Sequence, residues 1–260
     1  MAMATQPRFQ TGIKPWINRV NWLKAWLGMV LACGWLTACG TLPLAVSADY
    51  QTITPSQDGI GRVYLGREIA KTMGHEGAAW LDRPSRLLQE RPQAAVDHLD
   101  LQPTDIVADI GAGSGYFATR LAARVPQGRV LAVDIQPEML ALLEHKLAAN
   151  SITNIDLVLG TDDSPNLPPN SLDLALMVDA YHEFAYPREM MTGLVSALKP
   201  GGRVVLAEYR AENPLVMIKR LHKMSAAQVK REMATVGLHW LKTDDTLPQQ
   251  HLLFFEKPAA

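Results

Sequence analysis

The stretch Val107-Ala-Asp-Ile-Gly-Ala-Gly-Ser-Gly-Tyr-Phe117 decides the fold of this chain. The apolar run from Ile106 to Ile110 predicts a buried parallel strand, and the pattern from Tyr116 to Ala123 predicts a helix. Three glycines with the spacing Gly-x-Gly-x-Gly separate the two elements. A strand, a glycine-rich turn and a helix bring backbone N–H groups to the carboxyl edge of a sheet, where ligands bind.

The glycine spacing differs from that of dinucleotide-binding enzymes. Those enzymes carry Gly-x-Gly-x-x-Gly, and Tyr116 stands where the last glycine would be needed. The turn therefore disfavours an NAD-dependent oxidoreductase. Glycine still matters in it, because a side chain would block the close approach of a ligand or forbid the dihedral angles of the turn.

The composition excludes several classes of function. The 260 residues include 25 Lys and Arg against 26 Asp and Glu, and this net charge of −1 lacks the basic footprint of a nucleic-acid partner. Both cysteines, Cys33 and Cys39, lie near the amino terminus, so the rest of the chain has no disulfide and no thiolate nucleophile. No ligand residues cluster at a recognisable spacing, and the sequence assigns no metal site.

Residues 1–39 predict a lipoprotein-type signal sequence. Basic residues precede the uncharged stretch from Ala25 to Ala38, which is shorter than the ~20 residues that span a bilayer. Leu36-Thr-Ala-Cys39 resembles the bacterial lipobox, in which the cysteine is lipidated. The alternative is an uncleaved anchor, because the charge-free run continues to Ala48. Both interpretations predict export and attachment to a membrane, since the basic residues lie only on the amino-terminal side.

The rest of the chain divides into three parts. Residues 40–65 mix Thr, Ser, Pro and Gln and predict a linker, and residues 66–100 show helical spacing and predict a helical cap. Within the cap, Met73-Gly-His-Glu-Gly-Ala-Ala-Trp80 indicates either a helix-to-helix turn or a lid with His75 or Trp80 facing a substrate. Residues 101–260 alternate strands and helices, which predicts an α/β, Rossmann-like, doubly wound sheet.

Acidic and polar residues follow the predicted core strands. Asp134 ends the second strand, nineteen residues after Gly115, the separation at which a carboxylate can accept both hydroxyls of a ribose. Gly160-Thr-Asp-Asp163 follows the third strand, and Asp179-Ala-Tyr-His-Glu-Phe184 follows the fourth. These residues are expected to meet at the carboxyl edge of the sheet.

Taken together, the motifs resemble class I S-adenosyl-L-methionine-dependent methyltransferases. The resemblance extends from about Asp105 to Lys257 and rests on four features: Asp109-x-Gly-x-Gly-x-Gly115, Asp134, Asp163 before Leu167-Pro168, and Lys199-Pro-Gly-Gly202. It is closest to bacterial methyltransferase-domain proteins that carry Tyr-His-Glu-Phe after the fourth strand. It implies a seven-stranded sheet whose last strand is antiparallel to the rest, and S-adenosyl-L-methionine as the cofactor.

The resemblance also implies roles for individual residues. The implied cofactor-binding residues are Asp109, Gly111, Ala112, Gly113, Gly115, Asp134, Ile135, Gln136, Thr161, Asp162, Asp163 and Asp179. Among them, the glycine turn would approach the methionine part with Asp109 beneath it, and Asp134 would bind the ribose. Asp163, with Thr161 and Asp162 near it, would meet the adenine amino group, although the residues alone do not distinguish Asp162 from Asp163. Asp179 would border the transferred methyl group.

The implied catalytic residues are Tyr181, His182 and Glu183. Methyl transfer from a sulfonium is an in-line displacement with a neutral leaving group, so the enzyme mainly aligns the acceptor and excludes water. A base is needed only when the acceptor must lose a proton, and His182 is the candidate because imidazole titrates near neutral pH. The alternative is that His182 and Tyr181 only shape the pocket.

Phe184, Trp80 and Met224 favour a small, apolar acceptor. A second hypothesis is a degenerate methyltransferase fold that binds a ligand without catalysis. Its motivation is the leader, because S-adenosylmethionine is made in the cytoplasm and the leader predicts export.

Overall fold

The computed structural model describes residues 49–259. The predicted signal sequence with Cys39 lies outside the described residues, as does the first part of the predicted linker. Within the described range, no helix is long and apolar enough to cross a membrane.

Ten strands and seven α-helices make up the described chain. The strands are β1 (Tyr50–Thr52), β2 (Gly59–Tyr64), β3 (Arg67–Ala70), β4 (Ile106–Ile110), β5 (Arg129–Asp134), β6 (Ile155–Leu159), β7 (Leu172–Val178), β8 (Leu198–Tyr209), β9 (His239–Asp244) and β10 (Gln250–Glu256). The helices are α1 (Ala78–Leu81), α2 (Arg86–Gln89), α3 (Pro92–Asp97), α4 (Ala118–Arg124), α5 (Pro137–Ala149), α6 (Pro187–Ala197) and α7 (Ala226–Ala234). Single 3₁₀ turns occur at His75–Gly77, Tyr181–Glu183 and Arg220–His222.

A seven-stranded sheet forms the core, in the order β6-β5-β4-β7-β8-β10-β9. The first five of these strands run parallel, and β10 is antiparallel to both β8 and β9. The predicted Rossmann-like, doubly wound sheet with an antiparallel last strand is confirmed. Strand order reverses between β4 and β7, and such a reversal opens a ligand crevice at the carboxyl ends of the strands.

Helices cover both faces of the sheet because its central strands are apolar on both sides. On one face, Leu121 of α4 and Leu143 of α5 pack on β4 and β5. On the other face, Leu194 of α6 and Met233 of α7 pack on β7 and β8. Burial on both faces is typical of parallel strands and explains why the sequence shows continuous apolar runs.

The strand bounds follow the sequence closely where a buried run ends in glycine or acid. β4 begins and ends where the sequence predicts it, and β5 ends at the predicted Asp134. β8 begins at Leu198, and its pairing with β7 is irregular, because Leu172 of β7 pairs with Leu198 and Leu174 pairs with Arg203.

Residues 50–70 form a small antiparallel sheet, β1-β2-β3, where the sequence predicts a linker and the start of a helical cap. The helical pattern predicted from Gly66 is therefore wrong for β3, and the first helical turn begins at His75. Gly61 and Gly66 have φ of +73° and +87°, a region that glycine enters readily, and they permit the bulge and the turn of this sheet. The spacing of Ile69 and Met73 suggested a helix although Ile69 is a buried strand residue.

The small sheet is fixed to the core by a buried ion pair. Arg67 of β3 donates two hydrogen bonds of 2.9 Å to the carboxylate of Glu232 on α7. It donates a third, of 3.0 Å, to the carbonyl of His182 in the 3₁₀ turn after β7. The Tyr64 hydroxyl lies 2.9 Å from the Thr235 hydroxyl. Together these contacts hold the amino-terminal segment, which begins with residues 50–70, against the edge of the large sheet where ligands are expected.

Candidate active site

A cavity of about 580 Å³ lies at the carboxyl ends of the parallel strands. This volume lies in the ~300–1,000 Å³ range of small-molecule sites. The amino-terminal segment forms the opposite wall with Met73, Trp80 and Arg86. The sequence-predicted residues that line the cavity are Gly111, Gly113, Asp134, Ile135, Gln136, Thr161, Asp162, Asp179, His182 and Glu183. Most of the predicted site therefore converges on one space.

Asp134 lies at the end of β5 with its carboxylate on the cavity wall. Its Oδ2 accepts a hydrogen bond of 2.8 Å from the Gly113 amide, and its Oδ1 accepts one of 2.9 Å from the Gln136 amide. Burial raises the pKa of Asp134, and these backbone donors oppose that rise. Each carboxylate oxygen has a second lone pair, so the pair of oxygens can still accept two hydroxyls.

The backbone amides of the glycine turn are already hydrogen-bonded, so the turn provides space for a ligand to approach the backbone rather than free donors. The amides of Gly111 and Ala112 donate to the Val133 carbonyl at 2.8 and 3.0 Å, and the Gly113 amide donates to Asp134. The sheet and Asp134 thus use donors that the sequence analysis expected to face a ligand. A Cβ at Gly111 would lie 2.7 Å from the Ala180 Cβ, and the residue has a φ of +74°. Glycine is required here because any side chain would be both strained and crowded.

Gly115 and Ala112 lie off the main cavity. A Cβ at Gly115 would lie 2.2 Å from Leu143 Cδ1, so this glycine lets α5 pack against the turn. Ala112 lines a separate gap of about 20 Å³ behind the turn, the size that admits one water molecule. The structure thus places both residues behind the turn, and their direct contact with a cofactor stays a prediction.

Asp109 also lies behind the turn and borders the same small gap. Burial raises the pKa of Asp109 to about 7, although the Ala118 amide donates to its carboxylate and Arg86 is nearby. Its Oδ2 has no hydrogen-bond partner among residues 49–259. This position beneath the turn matches the role that the resemblance implies for Asp109.

The structure distinguishes the two aspartates after β6. Asp162 lines the cavity together with Thr161. Asp163 lies off the cavity, where its Oδ1 accepts a hydrogen bond of 2.7 Å from the Thr161 hydroxyl. Of the two alternatives, Asp162 is therefore the one placed to meet a ligand.

Asp179 directly follows β7 and has a strained backbone conformation with a φ of +49°. Its Oδ2 accepts a hydrogen bond of 2.6 Å from the Gln250 amide, while its Oδ1 is buried without a partner among the described residues. Burial raises the pKa of Asp179 well above its ordinary value, and Glu90 and Glu208 raise it further. Backbone strain combined with an unsatisfied buried acid is typical of a functional position.

His182 lies beside Asp179 and is held by a buried carboxylate from another strand. Its Nδ1 lies 2.7 Å from Glu208 Oε2 at the end of β8. An ionised carboxylate can only accept, so it favours a proton on Nδ1, and in the neutral imidazole Nε2 then presents its lone pair. Burial acts to lower the pKa of His182, but the Glu208 charge and hydrogen bond outweigh it, and the pKa is raised. Glu208 is a residue that the sequence alone does not identify as the group that orients His182.

Tyr181 is the clearest correction among the predicted catalytic residues. Its side chain is buried, and its hydroxyl donates a hydrogen bond of 2.7 Å to Glu232 Oε2. The turn of the chain after β7 directs Tyr181 into the core under the cavity and His182 into the cavity. Tyr181 therefore supports the Arg67–Glu232 pair and does not face a reacting group.

His222, from the 3₁₀ turn before α7, completes a cluster with the two residues after β7. Its Nδ1 lies 3.2 Å from His182 Nε2 and 3.3 Å from Glu183 Oε1. The amide of Met73 donates a hydrogen bond of 3.1 Å to the other carboxylate oxygen, Glu183 Oε2. The sequence assigned no metal site because no ligand spacing was recognisable, and His222 lies forty residues from His182. Only the fold brings these groups together.

The apolar part of the cavity differs from the sequence prediction at two residues. Trp80 and Phe184 line the cavity as expected for an apolar acceptor region. His75 is absent from the lining, and Met224 is buried in the core. The lid interpretation of the segment 73–80 is thus supported for Trp80, which also packs under the Arg83 guanidinium.

These observations fit the chemistry of S-adenosylmethionine. The turn leaves no room for a side chain at Gly111, Asp134 keeps acceptor capacity at the cavity wall, and Asp162 provides a second acceptor. A nucleoside with two hydroxyls and an exocyclic amino group needs such acceptors.

Comparison with known proteins agrees with the geometry. Residues 107–202 match the model of the family described as "Methyltransferase domain". An uncharacterised methyltransferase-like protein of Schizosaccharomyces pombe is 30% identical over 144 residues, which cover 55% of this chain and 54% of that protein. An uncharacterised methyltransferase of Mycobacterium bovis is 33% identical over 156 residues, which cover 60% and 59%. The chain thus spans less than two thirds of the length of these relatives.

A solved structure shows the same fold. The SAM-dependent methyltransferase from Aquifex aeolicus superposes with a TM-score of 0.68 at 21% identity, covering 72% of this chain and 100% of that chain. Open α/β sheets of this kind bind ligands at the carboxyl ends of their strands, where this chain has its cavity. The described chain therefore has the fold of class I methyltransferases, and its residues 107–202 are similar to the family described as a methyltransferase domain.

Proposed function

We propose that the chain is a class I methyltransferase that moves a methyl group from S-adenosyl-L-methionine to a small, partly apolar acceptor. One observation carries this proposal. The glycine turn and Asp134 share a single cavity with His182 and Glu183, so a cofactor site and a group able to take a proton open into the same space. The acceptor would lie between His182 and the apolar wall that includes Trp80 and Phe184.

S-adenosylmethionine supplies an electrophilic methyl group on a sulfonium when it is bound. The chain's own contribution is alignment, exclusion of water and removal of a proton from the acceptor. Glu208 keeps the proton on Nδ1 of His182, which leaves Nε2 as the acceptor nitrogen. An oriented imidazole of this kind suits an acceptor hydroxyl or protonated amine, because both lose a proton during methylation.

Calorimetric titration of the full chain tests the cofactor. We expect one equivalent of S-adenosylmethionine or S-adenosylhomocysteine to bind, and we expect no heat with NAD because Tyr116 replaces the required glycine. No heat with S-adenosylmethionine at millimolar concentration would refute the proposal.

Release of S-adenosylhomocysteine tests catalysis. Pools of small hydroxylated and amine-bearing compounds are incubated with the protein and S-adenosylmethionine, and the product is measured for the parent protein and for His182→Gln. Glutamine keeps a polar side chain but cannot act as a base at neutral pH. Cofactor binding without turnover in any pool would favour the alternative, a ligand-binding protein without catalysis.

We also propose that the chain is exported and held at a membrane by a lipid on Cys39. The lipobox-like Leu36-Thr-Ala-Cys39 and the basic residues before it support this location. Cys39→Ser should abolish lipid labelling and processing in cells. An unchanged mature mass in the variant would contradict the lipid anchor and leave the uncleaved anchor as the explanation.

We propose a small-molecule partner and no nucleic-acid partner, because the net charge of −1 lacks the basic footprint that nucleic-acid binding needs.

A further inference from the structure

We infer that His182, Glu183 and His222 form a binding site for one divalent transition-metal ion at the acceptor end of the cavity. The three side chains present ligand atoms that lie within 4.8 Å of one another. They come from two chain segments, the 3₁₀ turns after β7 and before α7. The inference goes beyond the proposed methyl transfer, and metal binding does not depend on it.

The spacing of the three atoms fits a coordination sphere. His182 Nε2 lies 3.2 Å from His222 Nδ1, His222 Nδ1 lies 3.3 Å from Glu183 Oε1, and Glu183 Oε1 lies 3.8 Å from His182 Nε2. Ligands around a tetrahedral metal are about 3.4 Å apart when each metal–ligand bond is ~2.0–2.1 Å. The triangle therefore matches one face of such a sphere with small adjustments of the side chains.

The groups behind the ligands hold them in the required orientation. Glu208 fixes the Nδ1 proton of His182, the carboxylate–histidine arrangement that orients metal-binding imidazoles. The Met73 amide holds Glu183 Oε2 and leaves Oε1 toward the imidazoles. The Arg67 guanidinium fixes the backbone of His182 through its carbonyl.

The donor set selects the class of metal. Two imidazole nitrogens and one carboxylate oxygen suit Zn²⁺, Fe²⁺, Co²⁺ or Ni²⁺, whereas Mg²⁺ and Ca²⁺ prefer oxygen ligands alone. All three residues line the cavity, so the remaining coordination positions face its interior. Three protein ligands with open positions are typical of catalytic rather than structural zinc sites. A metal bound at Nε2 of His182 would prevent that nitrogen from accepting a proton, so the base role proposed above belongs to the metal-free site.

Metal titration of the full chain, stripped with a chelator, tests the inference. We expect the parent protein to bind one equivalent of Zn²⁺, and Co²⁺ at the same site to give visible absorption without a thiolate charge-transfer band. His222→Asn and Glu183→Gln should each weaken binding at least tenfold. His145→Asn is the matched control, because His145 is an exposed histidine on α5 away from the cavity. A thermal melt of each variant verifies folding.

The outcomes separate the inference from its rivals. Loss of the tight site in both variants but not in the control supports it. The inference is overturned if tight Zn²⁺ binding persists in both variants or if the Co²⁺ thiolate band persists in them. It is also overturned if the parent protein binds no Zn²⁺ at millimolar concentration. Titration with S-adenosylhomocysteine on the same samples keeps the two proposals apart, since the cofactor can bind whether or not the metal does.

Discussion

Replacing Asp134 by asparagine is the sharpest test of the cofactor end of the cavity. The carboxylate is almost fully buried and accepts from the amides of Gly113 and Gln136, while its remaining lone pairs are placed for a ribose. The substitution keeps the shape and removes the charge. It also replaces one acceptor oxygen by a donor nitrogen, which would then face a backbone N–H group.

The expected loss of affinity follows from these contacts. A hydrogen bond to a charged group contributes roughly 1.5–3 kcal/mol. Asparagine would remove at least one such bond to the ribose and weaken the other, and the repelled amide of Gly113 or Gln136 would shift the turn. We expect about 2–4 kcal/mol in total, which corresponds to a roughly 30- to 1,000-fold weaker dissociation constant for S-adenosylhomocysteine.

Isothermal titration calorimetry with S-adenosylhomocysteine measures this change directly. Asp163→Asn is the matched control, because Asp163 lies off the cavity and bonds only to Thr161 in the described chain; its affinity should stay within about twofold of the parent. Asp162→Asn should weaken binding. A change smaller than threefold for Asp134→Asn in a folded protein, or equal losses for Asp134 and Asp163, would refute the assignment.

Three further predictions concern stability. Asp109→Asn should stabilise the protein more as pH rises, because the folded pKa of Asp109, about 7, lies above the ordinary value of ~3.9. The stability contributed by protonated Asp109 is full below pH ~4 and is lost as pH rises through 7, by up to about 4 kcal/mol. Denaturant titrations of both proteins at several pH values measure this change, and a pH-independent difference in unfolding free energy would contradict it. Arg67→Met should cost about 3–5 kcal/mol because it leaves the buried Glu232 carboxylate without its cation, and a loss below 1 kcal/mol would show that the pair is not needed. Gly115→Ala should lower the melting temperature because of its φ of +74° and the 2.2 Å approach to Leu143, and Leu143→Ala in the same chain should relieve part of the loss.

The amino-terminal sheet shows where sequence patterns mislead. Its strands are three to six residues long and lie among glycine, proline and serine, so they resemble a linker. Their stability comes from elsewhere in the chain: Tyr64 reaches Thr235, and Arg67 reaches Glu232, some 165 residues away. Local spacing carries no information about partners at that distance.

Buried charge is the second feature that the sequence conceals. Glu90, Glu208 and Glu232 have almost no exposed surface, although an isolated glutamate normally indicates a solvated position. Glu208 and Glu232 are tolerated because an imidazole and a guanidinium from other segments lie against them, whereas Glu90 pairs with the neighbouring Arg83 and Arg86. The pairs of Glu208 and Glu232 become visible only when the segments are packed.

The sequence by itself determined the α/β core and the cofactor end of the site. The strand, the glycine turn and Asp134 follow from apolar runs, conformational needs and short spacings, all of which are local properties of the chain. Tertiary structure alone decided that Asp162 rather than Asp163 faces the cavity. It also decided the acceptor end, where Tyr181 points into the core and Glu208 and His222 meet His182. The reason is that these groups lie on separate strands and turns, whose side chains approach one another only through the order in which the sheet is assembled.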